Sequence, residues 1–124
     1  MIVGSWNIRG ICSPQKQRAV TSWVNKHLFD IFGILETKTA APGSANRCIT
    51  ALRNKGFNHL SDDLAGGRFL IFWKAHLKTT VLDVFDQGAF CHVDNGFHKF
   101  FVGFIYGRNN QISRNCSGKT AYLE

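Results

Sequence analysis

The stretch IVGSWNIRG, residues 2–10, opens the chain with an apolar run and ends in Asn-x-Arg-Gly. A second apolar run, IFGILE at residues 31–36, ends in a carboxylate, and a helical pattern lies between the two. Strand, helix and strand within about 35 residues are typical of a βαβ unit, so we expect two parallel strands. Their ends would then bring Asn7 and Glu36 side by side, where an amide, a guanidinium and a carboxylate could meet a phosphate.

The intervening segment has clear helix signals. Ser13 is the candidate N-cap and Pro14 occupies the first helical position. Helical spacing predicts one apolar stripe, with four charged or polar side chains on the opposite side. The stripe comprises Ala19, Val20, Trp23, Val24, His27 and Leu28, and the outward residues are Gln15, Lys16, Arg18 and Lys26.

The remainder of the chain predicts one more helix and then short strands. The helix spans 46–55, with Cys48, Ile49 and Leu52 inward and a stop at Gly56. The strands are expected at 57–60, 69–73, 79–85, 89–94 and 97–106, the last being the longest. Asn95-Gly96 indicates a two-residue hairpin turn. The pattern is that of an α/β (α+β) fold, followed by a polar end, 111–124, without regular structure.

Composition favours an anionic partner. Fifteen Lys and Arg against eight Asp and Glu give a net charge of +7, and such an excess favours nucleic acid. The alternative is a basic protein without a specific anion. Four irregularly spaced cysteines and five scattered histidines indicate neither a zinc site nor a disulfide framework. No signal peptide or membrane-spanning run is visible, so we expect an intracellular protein, nuclear or cytoplasmic, without a membrane partner.

A third strand end adds Tyr106-Gly107-Arg108-Asn109 to the two already described. The combination of Trp6-Asn7-Ile8-Arg9-Gly10, Leu35-Glu36-Thr37 and Tyr-x-x-Asn resembles the endonuclease/exonuclease/phosphatase family. Within that family it looks most like the endonuclease domain of plant LINE-type (non-LTR) retrotransposons. The similarity runs from about residue 2 to residue 109 in the family's order and spacing.

The resemblance implies a site for phosphodiester hydrolysis with Mg²⁺. Glu36 would be the metal carboxylate, Asn7 would help to hold the metal or phosphate, and Tyr106 and Asn109 would contact the scissile phosphate. Hard cations prefer such oxygen ligands, and fixed donors suit a charged transition state. The partner would be DNA. Arg9, Lys38 and Arg108 are either a phosphate-facing rim or solvated loop charges.

The resemblance also implies a fold and a boundary. Residues 1–110 would be the N-terminal half of a four-layer α/β-sandwich of the DNase I-like type, about one sheet with two helices, and 111–124 a divergent tail. An uncovered sheet face rich in Phe and Trp would then favour self-association.

Two further family motifs are missing from the sequence. Neither Gly-Asp-x-Asn nor an Asp-His pair occurs in the 124 residues. Loss of an acid–base group costs about 10²–10⁴ in rate, so we expect an inactive, truncated protein derived from a retroelement. Two alternatives remain open: an active Mg²⁺-dependent nuclease or phosphatase completed by another chain, and a basic nucleic-acid-binding module without catalysis.

Overall fold

The computed structural model describes residues 1–38, 43–61, 69–85, 87–105 and 120–123. Two helices lie in this part of the chain, α1 (Pro14–His27) and α2 (Asn46–Asn54). The strands are β1 (Val3–Asn7), β2 (Ile31–Leu35), β3 (Phe57–Ser61), β4 (Phe69–Lys74), β5 (Lys78–Phe85), β6 (Gly88–Asp94), β7 (Lys99–Ile105) and β8 (Thr120–Leu123). The mixed α/β class that the sequence predicts is confirmed.

The described strands form two sheets, whereas the sequence predicts about one. The first sheet has the order β1-β2-β4-β3, and the second has the order β5-β6-β7-β8. Strands β1 and β2 are parallel, as the βαβ pattern predicts, and all other pairs are antiparallel. The expectation of one sheet was wrong because the antiparallel strands after residue 77 pair only with one another and stack on the first sheet.

Helix α1 begins and ends with recognisable caps. The Ser13 hydroxyl accepts a hydrogen bond from the Lys16 amide at 3.1 Å, and Pro14 follows at the first helical position, both as expected. Leu28 ends the helix with a φ of 53° and is 68% exposed. The predicted stripe is therefore wrong at its margins: Ala19, His27 and Leu28 are exposed, and Gln17 is buried instead.

Gln17 is buried because it connects the two helices. Its side-chain amide donates to the Ser44 carbonyl at 3.0 Å, and its Oε1 accepts from the Cys48 amide at 3.0 Å. Helix α2 has Ala45 at its N-cap and no capping bond from that side chain. Gln17 thus satisfies a first-turn N–H that α2 cannot satisfy locally.

Two apolar layers hold the molecule together. The first lies between the helices and the first sheet, and it contains a ring cluster around Phe32, whose ring stacks on Phe72 with 5.0 Å between centroids. The second lies between the two sheets. At Gly33 the sheets approach so closely that an added Cβ would lie 2.6 Å from the Phe104 ring. The described layers are therefore helices, sheet and sheet.

The outer face of the second sheet has no covering element among the described residues. Phe90 and Phe101 alternate with inward residues and are 40% and 48% exposed. The uncovered face thus belongs to the second sheet, and the inner face of the first sheet, which the sequence leaves bare, is covered by β6 and β7. Self-association through this exposed face stays a prediction.

Other expectations about the second half need correction. The Asn95-Gly96 hairpin exists, but Asp94 pairs with Lys99, so its loop has four residues. The Asn95 side chain stabilises that loop by accepting bonds from the Phe97 and His98 amides. Within the described residues the longest strand is β5, with eight residues, and β7 has seven. Strand β8 lies where no regular structure is expected, since four residues are too few to reveal a pattern.

The start of β1 is fastened to the neighbouring strands by Asp30. Its carboxylate accepts a hydrogen bond from the Ile2 amide at 2.7 Å and lies 3.3 Å from the Lys74 ammonium. Burial raises the pKa of Asp30, but the bond from Ile2 and the contact with Lys74 outweigh this effect and leave the pKa below its ordinary value. The clamp therefore weakens as pH falls through that lowered pKa.

Candidate functional site

The parallel pairing of β1 and β2 brings Asn7 and Glu36 to neighbouring positions. Asn7 is in register with Leu35, the residue before Glu36. The pairing continues beyond the strands, since the Ile8 amide donates to the Leu35 carbonyl at 3.0 Å and the Gly10 amide to the Glu36 carbonyl at 2.7 Å. The juxtaposition of these two strand ends is as the sequence predicts.

Backbone strain is concentrated at these two strand ends. The described residues other than glycine with positive φ are Arg9 at 53°, Glu36 at 55°, Lys38 at 48° and Leu28. The left-handed conformation costs roughly 1–2 kcal/mol for an L-residue, and three of the four cases lie here. Gly10, with a φ of 105°, adds a fourth left-handed position. Such clusters are typical of functional sites, where surrounding contacts maintain the strain.

The Asn7 side chain carries an unusual acceptor. Its Oδ1 atom is buried and has no hydrogen-bond partner among the described residues. Alternation along β1 directs Asn7 to the same face as Val3, which packs in the layer between the sheets. An unsatisfied buried acceptor costs about 1–3 kcal/mol. Asn7 therefore lies next to the half-buried Glu36 with an oxygen that no described group satisfies.

Lys16 belongs to this region, although the sequence predicts only that it faces outward. Its ammonium donates to the carbonyl of Ile8 at 3.0 Å and to that of Arg9 at 3.1 Å. It thus places a cation beside the Asn7 strand end and holds the left-handed Arg9 turn. The one sequence signal for this role is the position of Lys16 in the first turn of the helix that directly follows the loop. Helical periodicity alone does not reveal a side chain that folds back.

Only some of the other predicted site residues lie within the described ranges. Arg9 and Lys38 are exposed beside the strand ends, as a rim would require. Tyr106, Arg108 and Asn109 lie outside the described residues. Within the described ranges, no group of three or more His, Cys, Asp or Glu side chains could hold a metal, and no helix is long and apolar enough to cross a membrane.

Of the cysteines in the described ranges, only Cys12 touches this region, through a thiol that donates to the Lys38 carbonyl at 3.6 Å. Cys12, Cys48 and Cys91 are free thiols, and Cys12 is exposed. Burial raises the pKa of the Cys48 and Cys91 thiols to about 11. Both therefore remain protonated at neutral pH and behave as small apolar side chains.

Comparison with known proteins adds no relative. No protein-family model matches the chain, and no curated protein or solved structure matches it. The fold and the strand-end geometry are therefore the features that bear on function. They define a three-layer α/β/β arrangement with strained strand ends that carry an amide and a carboxylate.

The residues at the strand ends fit a magnesium ion by their chemistry. Mg²⁺ takes oxygen ligands, and proteins commonly hold it through one or two carboxylates while water and substrate phosphates complete its shell. Glu36 offers one carboxylate and Asn7 offers a buried oxygen without another partner.

Proposed function

We propose that this chain carries the N-terminal half of an endonuclease/exonuclease/phosphatase-type site and derives from a retroelement endonuclease. In this proposal the site binds Mg²⁺ and a DNA phosphate but does not hydrolyse the phosphodiester bond. The observation that carries the proposal is the buried Asn7 Oδ1, which no group in the described part of the chain satisfies, beside the strained Glu36. An unsatisfied buried acceptor and a glutamate with left-handed backbone conformation both lower the stability of the fold. A role in binding accounts for their presence together.

Each described residue has a defined role in this proposal. Glu36 and Asn7 hold the metal through oxygen atoms, and Lys16 keeps the Arg9 turn in place through its two carbonyl contacts. Bound Mg²⁺ would offset the negative charge of a phosphate. Arg9 and Lys38, both exposed, add positive charge to the rim.

Tyr106 and Asn109 are proposed to contact the same phosphate. Phe104, which precedes Tyr106 by two residues, lies against Gly33, which precedes Glu36 by three. The two proposed contacts themselves lie outside the described residues.

Hydrolysis is proposed to be absent because this sequence offers no acid–base pair for it. General acid–base groups contribute about 10²–10⁴ each, and groups that act as a unit fail together. The sequence lacks both Asp-x-Asn and Asp-His.

Metal binding tests the site directly. Mn²⁺, a paramagnetic substitute for Mg²⁺, is titrated into wild type, Glu36→Gln and Asn7→Leu, and free Mn²⁺ is followed by electron paramagnetic resonance. We expect each substitution to weaken binding at least about tenfold, as loss of even an outer-sphere partner does. Asn7→Leu removes the unpaired acceptor, so it should be as stable as wild type or more stable. Asp83→Asn, an exposed carboxylate on the second sheet, is the matched control. Equal Mn²⁺ affinity in all four proteins would refute the metal site.

A nicking assay on supercoiled plasmid with Mg²⁺ tests the absence of hydrolysis. Wild type, Glu36→Ala and Asp83→Asn should all leave the plasmid intact. Nicking by wild type that Glu36→Ala abolishes would instead establish the active nuclease. DNA retention that falls with salt but ignores both Mg²⁺ and Glu36→Ala would favour a basic binding module without a metal.

A further inference from the structure

A cleft lies between α1 and α2, on the face of the first sheet that is turned away from the second sheet. Its volume is about 370 Å³, and Arg18, Ser22 and Asn25 line it from α1. Arg47 lines it from α2, and the buried Cys48 forms part of its floor. The Asn25 Oδ1 atom accepts a hydrogen bond from the Lys55 ammonium, which leaves the side-chain N–H groups of Asn25 as donors for other partners. Two arginines and several neutral polar residues therefore line the cleft together with the small side chains of Ala51 and Cys48, and most of the lining surface is apolar.

The charge around this cleft has one sign. Residues 14–27 and 46–55 contain six of the fifteen Lys and Arg and none of the eight Asp and Glu. None of the described residues that line the cleft carries a carboxylate. Arg47 also occupies the first turn of α2, where the helix dipole disfavours a cation and no acidic residue compensates it. Both arginines are exposed, so their charge is available to an anion.

We infer that this cleft binds a phosphate of a nucleic-acid backbone through Arg18 and Arg47, independently of metal. Arginine matches phosphate geometry with paired donors, and Lys55, whose ammonium contacts the cleft residue Asn25, continues the positive charge beyond the cleft. That continuation favours a polymer over a single small phosphate, because only a polymer meets all of these charges. The inference does not rest on the strand-end site, which lies on other residues and requires Mg²⁺.

Fluorescence anisotropy with a labelled DNA duplex in EDTA tests this assignment over a range of salt concentrations. We expect Arg18→Gln/Arg47→Gln to weaken binding and to reduce the slope of log K against log salt by about two, one for each lost phosphate contact. The matched control is Lys78→Gln/Lys99→Gln on the second sheet, which removes the same charge and should leave the slope unchanged. Glu36→Gln should also leave it unchanged, so failure of the metal site and failure of the cleft are distinguishable.

A second variant guards against misfolding of the double substitution. Ser22→Asp keeps both arginines and adds a carboxylate to the cleft, and it should weaken DNA binding while circular dichroism stays native. An equal loss of slope in the control pair would show diffuse charge and overturn the proposal. So would unchanged binding by both cleft variants. Titration with inorganic phosphate alone should give no saturable binding at the concentrations that the DNA requires. Tight phosphate binding without an effect of the variants on DNA would reassign the cleft to a small ligand and overturn the polymer.

Discussion

The two sheets of this molecule use similar residues for different ends. The first sheet is covered by helices on one face and by the second sheet on the other, and β2 at its centre is buried throughout. The second sheet packs only through its inner face, so Phe101 on its outer face is 48% exposed. Phe32, on β2, is fully buried. A phenylalanine thus contributes to folding in one sheet and remains available for contact in the other.

The largest expected effect comes from substituting one phenylalanine in each sheet. Phe32→Ala should lower the free energy of unfolding by about 3–5 kcal/mol, because it removes a buried ring that contacts several other rings. Phe101→Ala should cost less than about 1 kcal/mol, since its ring is half exposed. Urea unfolding followed by circular dichroism measures both. Equal losses would mean that the outer face of the second sheet is covered in solution.

Sedimentation of a further variant at Phe101 extends the comparison. If the outer face mediates self-association, Phe101→Lys should sediment as a smaller species than wild type at equal concentration. An unchanged sedimentation coefficient across a concentration series would contradict the exposed-face prediction.

A smaller effect is expected where the helix layer is joined. Gln17→Ala should lower stability by about 1–3 kcal/mol, because it leaves the Cys48 amide and the Ser44 carbonyl without their buried partner. Gln15→Ala, an exposed site in the same helix, should stay within about 0.5 kcal/mol of wild type. A loss at Gln17 no larger than at Gln15 would show that α2 does not need this cap.

The smallest effect separates strain that serves folding from strain that serves the site. Leu28 and Glu36 have φ values of 53° and 55°, so glycine at either position should raise stability by about 1 kcal/mol. Only Glu36→Gly should also lose Mn²⁺ affinity. Thermal melts and the Mn²⁺ titration measure the two properties. Loss of Mn²⁺ affinity in Leu28→Gly would assign the effect to backbone change instead.

The first half of the fold was predictable because its signals are local. The Ser13-Pro14 start, the parallel strands and the helix at residue 46 follow from capping, periodicity and strand–helix–strand order. The second sheet was not recognised as separate, because its strands alternate in the same way whichever sheet they join. Leu28, predicted in the apolar stripe, is exposed because of the helix end, and Gln17, for which no place was predicted, is buried because it binds α2. Neither cause is visible in the sequence of α1 alone.

The candidate site was predictable in its position and not in its details. Strand order alone places Asn7 beside Glu36. The lone Oδ1 atom, the left-handed turns and the Lys16 contacts depend on side-chain rotamers and on backbone angles. Those properties are set by packing between distant segments, so the sequence names the residues without their geometry.

Each sheet is built from one uninterrupted part of the chain, with β1 to β4 within residues 3–74 and β5 to β8 within 78–123. The first sheet can therefore assemble while the second is still being translated. At about 5–20 residues per second, the segment 78–123 that forms the second sheet needs about 2–9 s. During that interval the side chains of Leu35, Phe69 and Ile71 are not yet covered by the second sheet. The nascent chain is then most open to chaperones and to misassembly with its neighbours.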